Sequence, residues 1–209
     1  MLQWILRCLL GPGKNELNLK LQALEARAAV AGESSCAQLF NRAGDLCVAG
    51  GLTRRALVYY GRAVDAYLAA GYIGPAAAMC RKILRSSPEA VRAHCTLACL
   101  AAHGRHFVEV ESEVLRFVEA GRRTRTERLT IPRLRMLADA VKEPEVKRWL
   151  AAQLHELGDE LGGRRVLASI DAGPHDEEEP IGRAGNGSAQ WEKLVRAAAA
   201  DPDDLWRYA

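Results

Sequence analysis

The sequence predicts an all-α protein built as a stack of antiparallel helices, and three observations carry that prediction. Hydrophobic residues make up 49% of the chain but aromatics only 6%, so alanine and leucine supply most of the apolar surface. Both lose little side-chain freedom in a helix, and alanine lets neighbouring helices approach closely. Apolar and small residues also recur at helical spacing, most clearly over residues 36–88. Finally, glycines stand where each of these helices should stop, and β-branched runs with period-two alternation are absent, which leaves no sheet.

The chain opens with MLQWILRCLL. This segment is far shorter than the ~20 residues that span a bilayer, and it lacks the basic n-region and cleavage site of a secretory signal. As a helix it places Leu2, Ile5, Leu6 and Leu9 on one face, which packs on the helical domain as a cap. A second reading makes residues 1–10, with Trp4, an amphipathic foot on a membrane surface and the chain a peripheral assembly factor. Gly11, Pro12 and Gly13 break the segment, so 1–13 stands apart from a repeat domain over 14–170.

Within that domain, Leu17, Leu21, Leu24 and Ala28 form the stripe of a helix over 15–31, closed by Gly32. Ser34 or Ser35 caps the next, which carries Phe40, Ala43, Gly44 and Cys47 and ends at Gly50 and Gly51. Thr53 caps a long helix to residue 70, and Gly71 closes it. Pro75 suits the first turn of a fourth helix, which stops before Ser86, Ser87 and Pro88. Past residue 121 the pattern weakens. Residues 122–126 read as a basic connection, followed by a helix with Leu134, Leu137, Ala138 and Val141 and with Pro132 near its start. Pro144 opens another, faced by Val146, Trp149, Leu150, Leu154 and Leu157 and stopped by Gly158, and a shorter piece covers about 164–170. Residues 171–187 turn to Gly, Pro and acid and read as a disordered linker. Ser188 then caps a terminal amphipathic helix in the segment 188–209, with Trp191, Leu194, Val195 and Ala198 on its apolar stripe. Too short to be stable alone, that helix either docks back on the repeats or is presented to a partner.

The register of large and small residues is more specific. Phe40, Ala43, Gly44 and Cys47 are followed by Ala56, Tyr60 and Ala63; the same register restarts at Tyr60, Ala63, Val64 and Tyr67, followed by Ala76, Cys80 and Pro88. A third copy runs through His94, Leu97, Ala98 and Ala101 to Val110 and Val114. This pattern resembles the tetratricopeptide repeat over roughly 36–121. The resemblance implies helix-turn-helix units stacked as a short right-handed solenoid, with the helix at 53–70 serving two units at once. Phenylalanine, tyrosine or histidine stands where the family usually has tryptophan, and the copies are unevenly spaced. Small residues at Gly44, Ala56, Ala63, Ala76 and Ala98 suit helix crossings, where a larger side chain would push the backbones apart.

The resemblance further implies that the first helix of each unit lines a concave groove that takes a peptide or helix of another protein. The residues in that register are Gln38, Asn41, Arg42 and Asp45, then Arg62 and Asp65, then Arg92 and His103. They differ from the lysine-and-asparagine set with which some members hold a C-terminal carboxylate, so that mode is not expected.

Chemistry is poorly supported. There is no G-x-S-x-G and no phosphate-binding loop; GPGK at 11–14 is a breaker, and Glu109, Glu111 and Glu113 suit the positive end of a helix dipole. Cys95, Cys99 and His103 share a helical stripe beside His94 and His106, but a zinc site needs four convergent ligands, so these read as packing residues and solvated histidines. The other cysteines, Cys8, Cys36, Cys47 and Cys80, are also single, which points to a reduced, cytoplasmic protein. A net charge of +3 is too small to argue for nucleic acid. The arginines of 116–128 (Arg116, Arg122, Arg123, Arg125, Arg128) form a third reading as a phosphate-binding segment, though a solvated loop salt-bridged to the acidic linker explains them more simply. The expectation is a non-enzymatic scaffold or adaptor with no metal, cofactor or small-molecule substrate.

Overall fold

The computed structural model describes residues 14–104, 107–171, 192–195 and 198. The apolar start of the chain and the acidic linker lie outside them. Every regular element among the described residues is a helix, so the all-α class holds. Two compact units divide the chain between Pro88 and Glu89, within the repeat domain expected over 14–170.

The first unit comprises α1 (Lys14–Ala29), α2 (Glu33–Ala49), α3 (Thr53–Ala69) and α4 (Ile73–Ser86), each packed on its neighbour in sequence. Leu17, Leu21, Leu24 and Ala28 of α1 are all buried, as their spacing requires. Helix α3 is the middle layer, packing on both α2 and α4 and burying Ala56, Leu57, Tyr59, Tyr60, Ala63, Val64 and Leu68. At Gly44 an added Cβ would lie 2.3 Å from Cε1 of Tyr60, so the glycine is what lets the ring lie against α2.

The stops are built alike. Gly51, Gly71 and Gly158 have φ of +72°, +73° and +81°, the left-handed region open to a residue without Cβ. In each turn the glycine N–H and the next N–H donate back to the helix: Gly51 to Val48 and Leu52 to Cys47, Gly71 to Leu68 and Tyr72 to Tyr67, Gly158 to His155 and Asp159 to Leu154. Those bonds satisfy carbonyls that a helix end leaves unpaired, and an apolar contact normally accompanies them. At the Gly71 turn Tyr67 and Tyr72 supply it, edge to face at 6.5 Å.

The starts depart from expectation. Helix α2 begins at Glu33, with extended Gly32 as its cap and both serines inside the helix. Glu33 in the first turn suits the positive end of the dipole. Thr53 is the first helical residue of α3 and makes no capping bond; the cap is Leu52. Because Leu52 already closes the preceding turn, the next helix starts at once.

The second unit contains α5 (Val91–Gly104), α6 (Phe107–Arg123), α7 (Glu127–Ala140), α8 (Pro144–Glu156) and α9 (Glu160–Asp171). Helix α5 packs on α6 and α7, and α9 on α8 and α7. Pro132 lies inside α7 instead of near its start, and it is exposed. The basic connection expected over 122–126 is shorter, covering only 124–126, since α6 runs through Arg123 and α7 starts at Glu127. The arginines of α6 meet glutamates of this unit: Arg116 with Glu113 at 2.8 Å, Arg123 with Glu89 and Glu119, and Arg122 with the Glu156 carbonyl at 3.3 Å.

Asp159 joins α7 to the α8–α9 corner. Its carboxylate accepts Arg135 Nε at 2.6 Å and Nη2 at 2.5 Å, and the Gly162 amide at 3.0 Å. The guanidinium of Arg135 holds the Asp159 carboxyl below the usual carboxylate range, with the Gly162 bond assisting against burial. A group of this kind stabilises the fold above its unfolded value of 3.8, and the stabilisation is lost as pH falls through the lower folded value.

Two outcomes follow. Gly44→Ala should destabilise the first unit by about 1–2 kcal/mol in urea unfolding, because overpacking against Tyr60 outweighs the gain in helix propensity; an equal or higher midpoint would contradict the close approach. Asp159→Ala should cost about 1–3 kcal/mol at pH 7, where both the cap and the paired charge are removed. The difference from wild type should shrink as the pH is lowered below 4, measured by thermal melts.

Candidate interaction site

Of the residues assigned to a groove, α2 carries four. Gln38, Arg42 and Asp45 are exposed and Asn41 is half-buried, a polar stripe set by their spacing of three and four. Two of them are organised by neighbouring helices. Lys82 of α4 donates to Asn41 Oδ1 at 2.7 Å and to Asp45 Oδ1 at 2.5 Å, and Tyr60 Oη of α3 donates to the same Asp45 oxygen at 2.6 Å. The Lys82 ammonium also sits 4.4 Å from the Tyr60 ring centroid. Burial, then the bond to Asp45, pushes the Tyr60 phenol well above its ordinary value. It is therefore a fixed neutral donor at neutral pH. Asp45 keeps 53% of its side chain exposed, so the network presents a rigid acid to solvent.

Arg62 does not join this group. It lies over the rings of Phe40 and Tyr59 at 5.8 and 6.0 Å and 3.7 Å from Glu25 of α1. Phe40 and Tyr59 stack at 6.5 Å, and Tyr59 Oη donates to Glu25 at 2.7 Å. Arg55 adds a bond to Asn18 at 2.9 Å and covers Tyr59 at 5.7 Å. Charge and aromatic faces thus fasten α1 to α2 and α3, and Arg62 is a fastening residue rather than a neighbour of Asn41. Asp65 and His103 are half-buried.

Arg92 requires a larger correction. Expected on an open face, it is 1% exposed. Its Nε donates to the carbonyl of Ala198 at 3.2 Å, and Nη1 of Arg133 donates to the same oxygen at 3.2 Å. Residues 192–195 and 198 are helical, with Leu194 and Ala198 each 1% exposed, so the described part of the terminal segment docks on its own chain.

Beneath this contact lies a feature that the cysteine count concealed. Nη1 of Arg133 is 3.9 Å from Sγ of Cys95, one turn before Cys99. The bond with Cys99, then the charge of Arg133 and its bond, and then Arg92 pull the Cys95 thiol down to about 7 against the opposing effect of burial. Arg92 sits three residues before Cys95 on a face otherwise buried, which was the available signal; Arg133 comes from α7 and carried none. By contrast, burial raises the Cys36 and Cys47 thiols.

A cavity of about 470 Å³ opens elsewhere in the second unit, floored by Ala102, Val110, Val141 and Val146 and edged by Glu145 and Arg148. None of its described lining residues carries a thiol, hydroxyl or imidazole. No three His, Cys, Asp or Glu side chains among the described residues are placed to hold a metal ion, and none of the described helices is long and apolar enough to cross a membrane.

No protein-family model, curated protein or solved structure matches the chain.

The Cys95 environment has a measurable consequence. With its thiol lowered by Cys99 and the arginines, folded Cys95 should release its proton at a lower pH than in the unfolded chain, so stability should rise with pH between about 7 and 9. The contribution is fully present above 9 and lost as pH falls through about 7. Urea unfolding should show the rise in wild type and a flatter profile in Cys95→Ala; parallel profiles would exclude thiolate stabilisation at this site.

Proposed function

We propose that the chain is a non-enzymatic adaptor, similar in build to tetratricopeptide-repeat proteins, that holds a peptide or helix of another protein against the α2 stripe of its first unit. The observation that supports this reading is the network of Asn41, Asp45, Tyr60 and Lys82. It spends a buried phenol and an ammonium on orienting one exposed carboxylate, with Gln38 and Arg42 beside it on the same helix. A preorganised polar face of this kind loses little conformational freedom on binding. Its groups are hydrogen-bonded to one another instead of being poised for proton transfer, which supports recognition over catalysis. Five unbridged cysteines among the described residues support a reducing, cytoplasmic setting.

Gln38→Glu combined with Arg42→Glu alters the exposed stripe without touching the packed network or the fastening residue Arg62. Affinity purification from the native cell should recover the main partner at least about tenfold less well with this variant, a change worth about 1.4 kcal/mol of binding. Undiminished recovery of the same partner, with an unchanged melting temperature, would remove the α2 face from consideration.

A further inference from the structure

Cys95 and Cys99 of α5 stand one helical turn apart, 1% and 0% exposed, with their thiols in hydrogen-bond contact. Nη1 of Arg133, from α7, donates to Cys95 Sγ at 3.9 Å. That arginine is 4% exposed, and Arg92, one turn before Cys95, is 1% exposed. Packing alone does not account for this group. A buried cysteine packs as a small hydrophobe with no need of a guanidinium, and burying a cation is costly. A pair of soft sulfur atoms held in a positive interior is suited instead to carrying negative charge.

Three chemistries use two thiols, and the spacing separates them. A disulfide needs Cβ atoms about 3.5–4.5 Å apart, whereas positions four apart on a helix hold theirs at about 5–6 Å. Closing that bond would distort the turn of α5 that places both residues. A zinc or iron–sulfur centre needs four convergent ligands. Among the described residues no third His, Cys, Asp or Glu side chain joins the pair. An ion bonded in line between two sulfurs remains. It asks them to stand slightly further apart than a hydrogen bond does, which the wide Cβ spacing allows. Of the metals that thiolates select, Cu(I) is the one that accepts two ligands in line.

We propose that Cys95 and Cys99 form a two-thiolate site for a single Cu(I) ion in the interior of the second unit. On binding, both thiols give up their protons to solvent and two Cu–S bonds form, with no change of oxidation state. The resulting centre carries one negative charge, which Arg133 faces directly and Arg92 supports from the preceding turn. The ion enters by local opening beside the Ala198 carbonyl, which the same Nη1 of Arg133 holds at 3.2 Å. The site belongs to the second unit and does not depend on the α2 stripe of the first.

The test titrates the full chain, reduced and under argon, against Cu(I) held by bicinchoninate. The chain is loaded both in its native state and during refolding from urea, so that slow entry does not hide the site. Wild type should withdraw one Cu(I) per chain, and X-ray absorption should report two sulfur neighbours at the metal. Cys95→Ala and Cys99→Ala should each lose this uptake, while Cys80→Ala in the first unit keeps it. Arg133→Gln should keep the stoichiometry and weaken affinity by at least about tenfold. Thermal melts identify a variant that has lost its fold, and the serine variant of the same cysteine then takes its place. Absence of uptake by wild type on both routes would overturn the proposal. So would uptake that survives the loss of Cys95 or Cys99, or a metal bound by more than two sulfurs.

Discussion

The absence of a side chain at Gly44 sets the geometry of the first unit. With an added Cβ only 2.3 Å from Cε1 of Tyr60, α2 and α3 approach at a distance that a larger residue would prevent. The ring that fills this space emerges on the far side with its hydroxyl on Asp45 and its face under Lys82. One contact thereby serves two scales. It fixes the spacing of helices in the core, and it fixes the direction of the polar groups at the surface. Helices of small residues need such a wedge, because alanine against alanine gives close approach but little that specifies register.

The second unit carries its polarity inside. Arg92, Arg133 and Cys95 lie among buried residues, and the Ala198 carbonyl completes the group from a distant part of the chain. Charge in such a place is tolerated only where hydrogen bonds meet it. The hydrogen bond with Cys99 and then the same cations lower the Cys95 thiol, which burial by itself would raise. In the first unit, by contrast, the ion pairs are partly exposed and individually weak, and they gain their effect by acting with aromatic faces.

How much of this was legible varies with the range of the signal. The stripe of α1, the glycine stops at Gly51, Gly71 and Gly158 and the placement of Pro75 and Pro144 depend on residues a few positions apart, and all were readable. Helix starts were read less well at Ser34 and Thr53, because short turns left Gly32 and Leu52 as the caps. The stripe Gln38, Asn41, Arg42 and Asp45 was also visible as helical spacing. Its organisation was not, since Lys82 lies thirty-seven residues beyond Asp45.

What the sequence determined by itself was the helical class, the apolar faces and most of the stops, because periodicity and turn chemistry are local. Tertiary packing alone decided which polar residues meet. It sent Arg62 to Glu25 and α1, buried Arg92 beneath Ala198 and brought Arg133 from α7 beside Cys95. A repeat register assigns Arg62 and Arg92 to helix faces by spacing. Whether a face meets solvent, a ring or a distant carbonyl depends on where the rest of the chain folds, and no spacing within one helix encodes that.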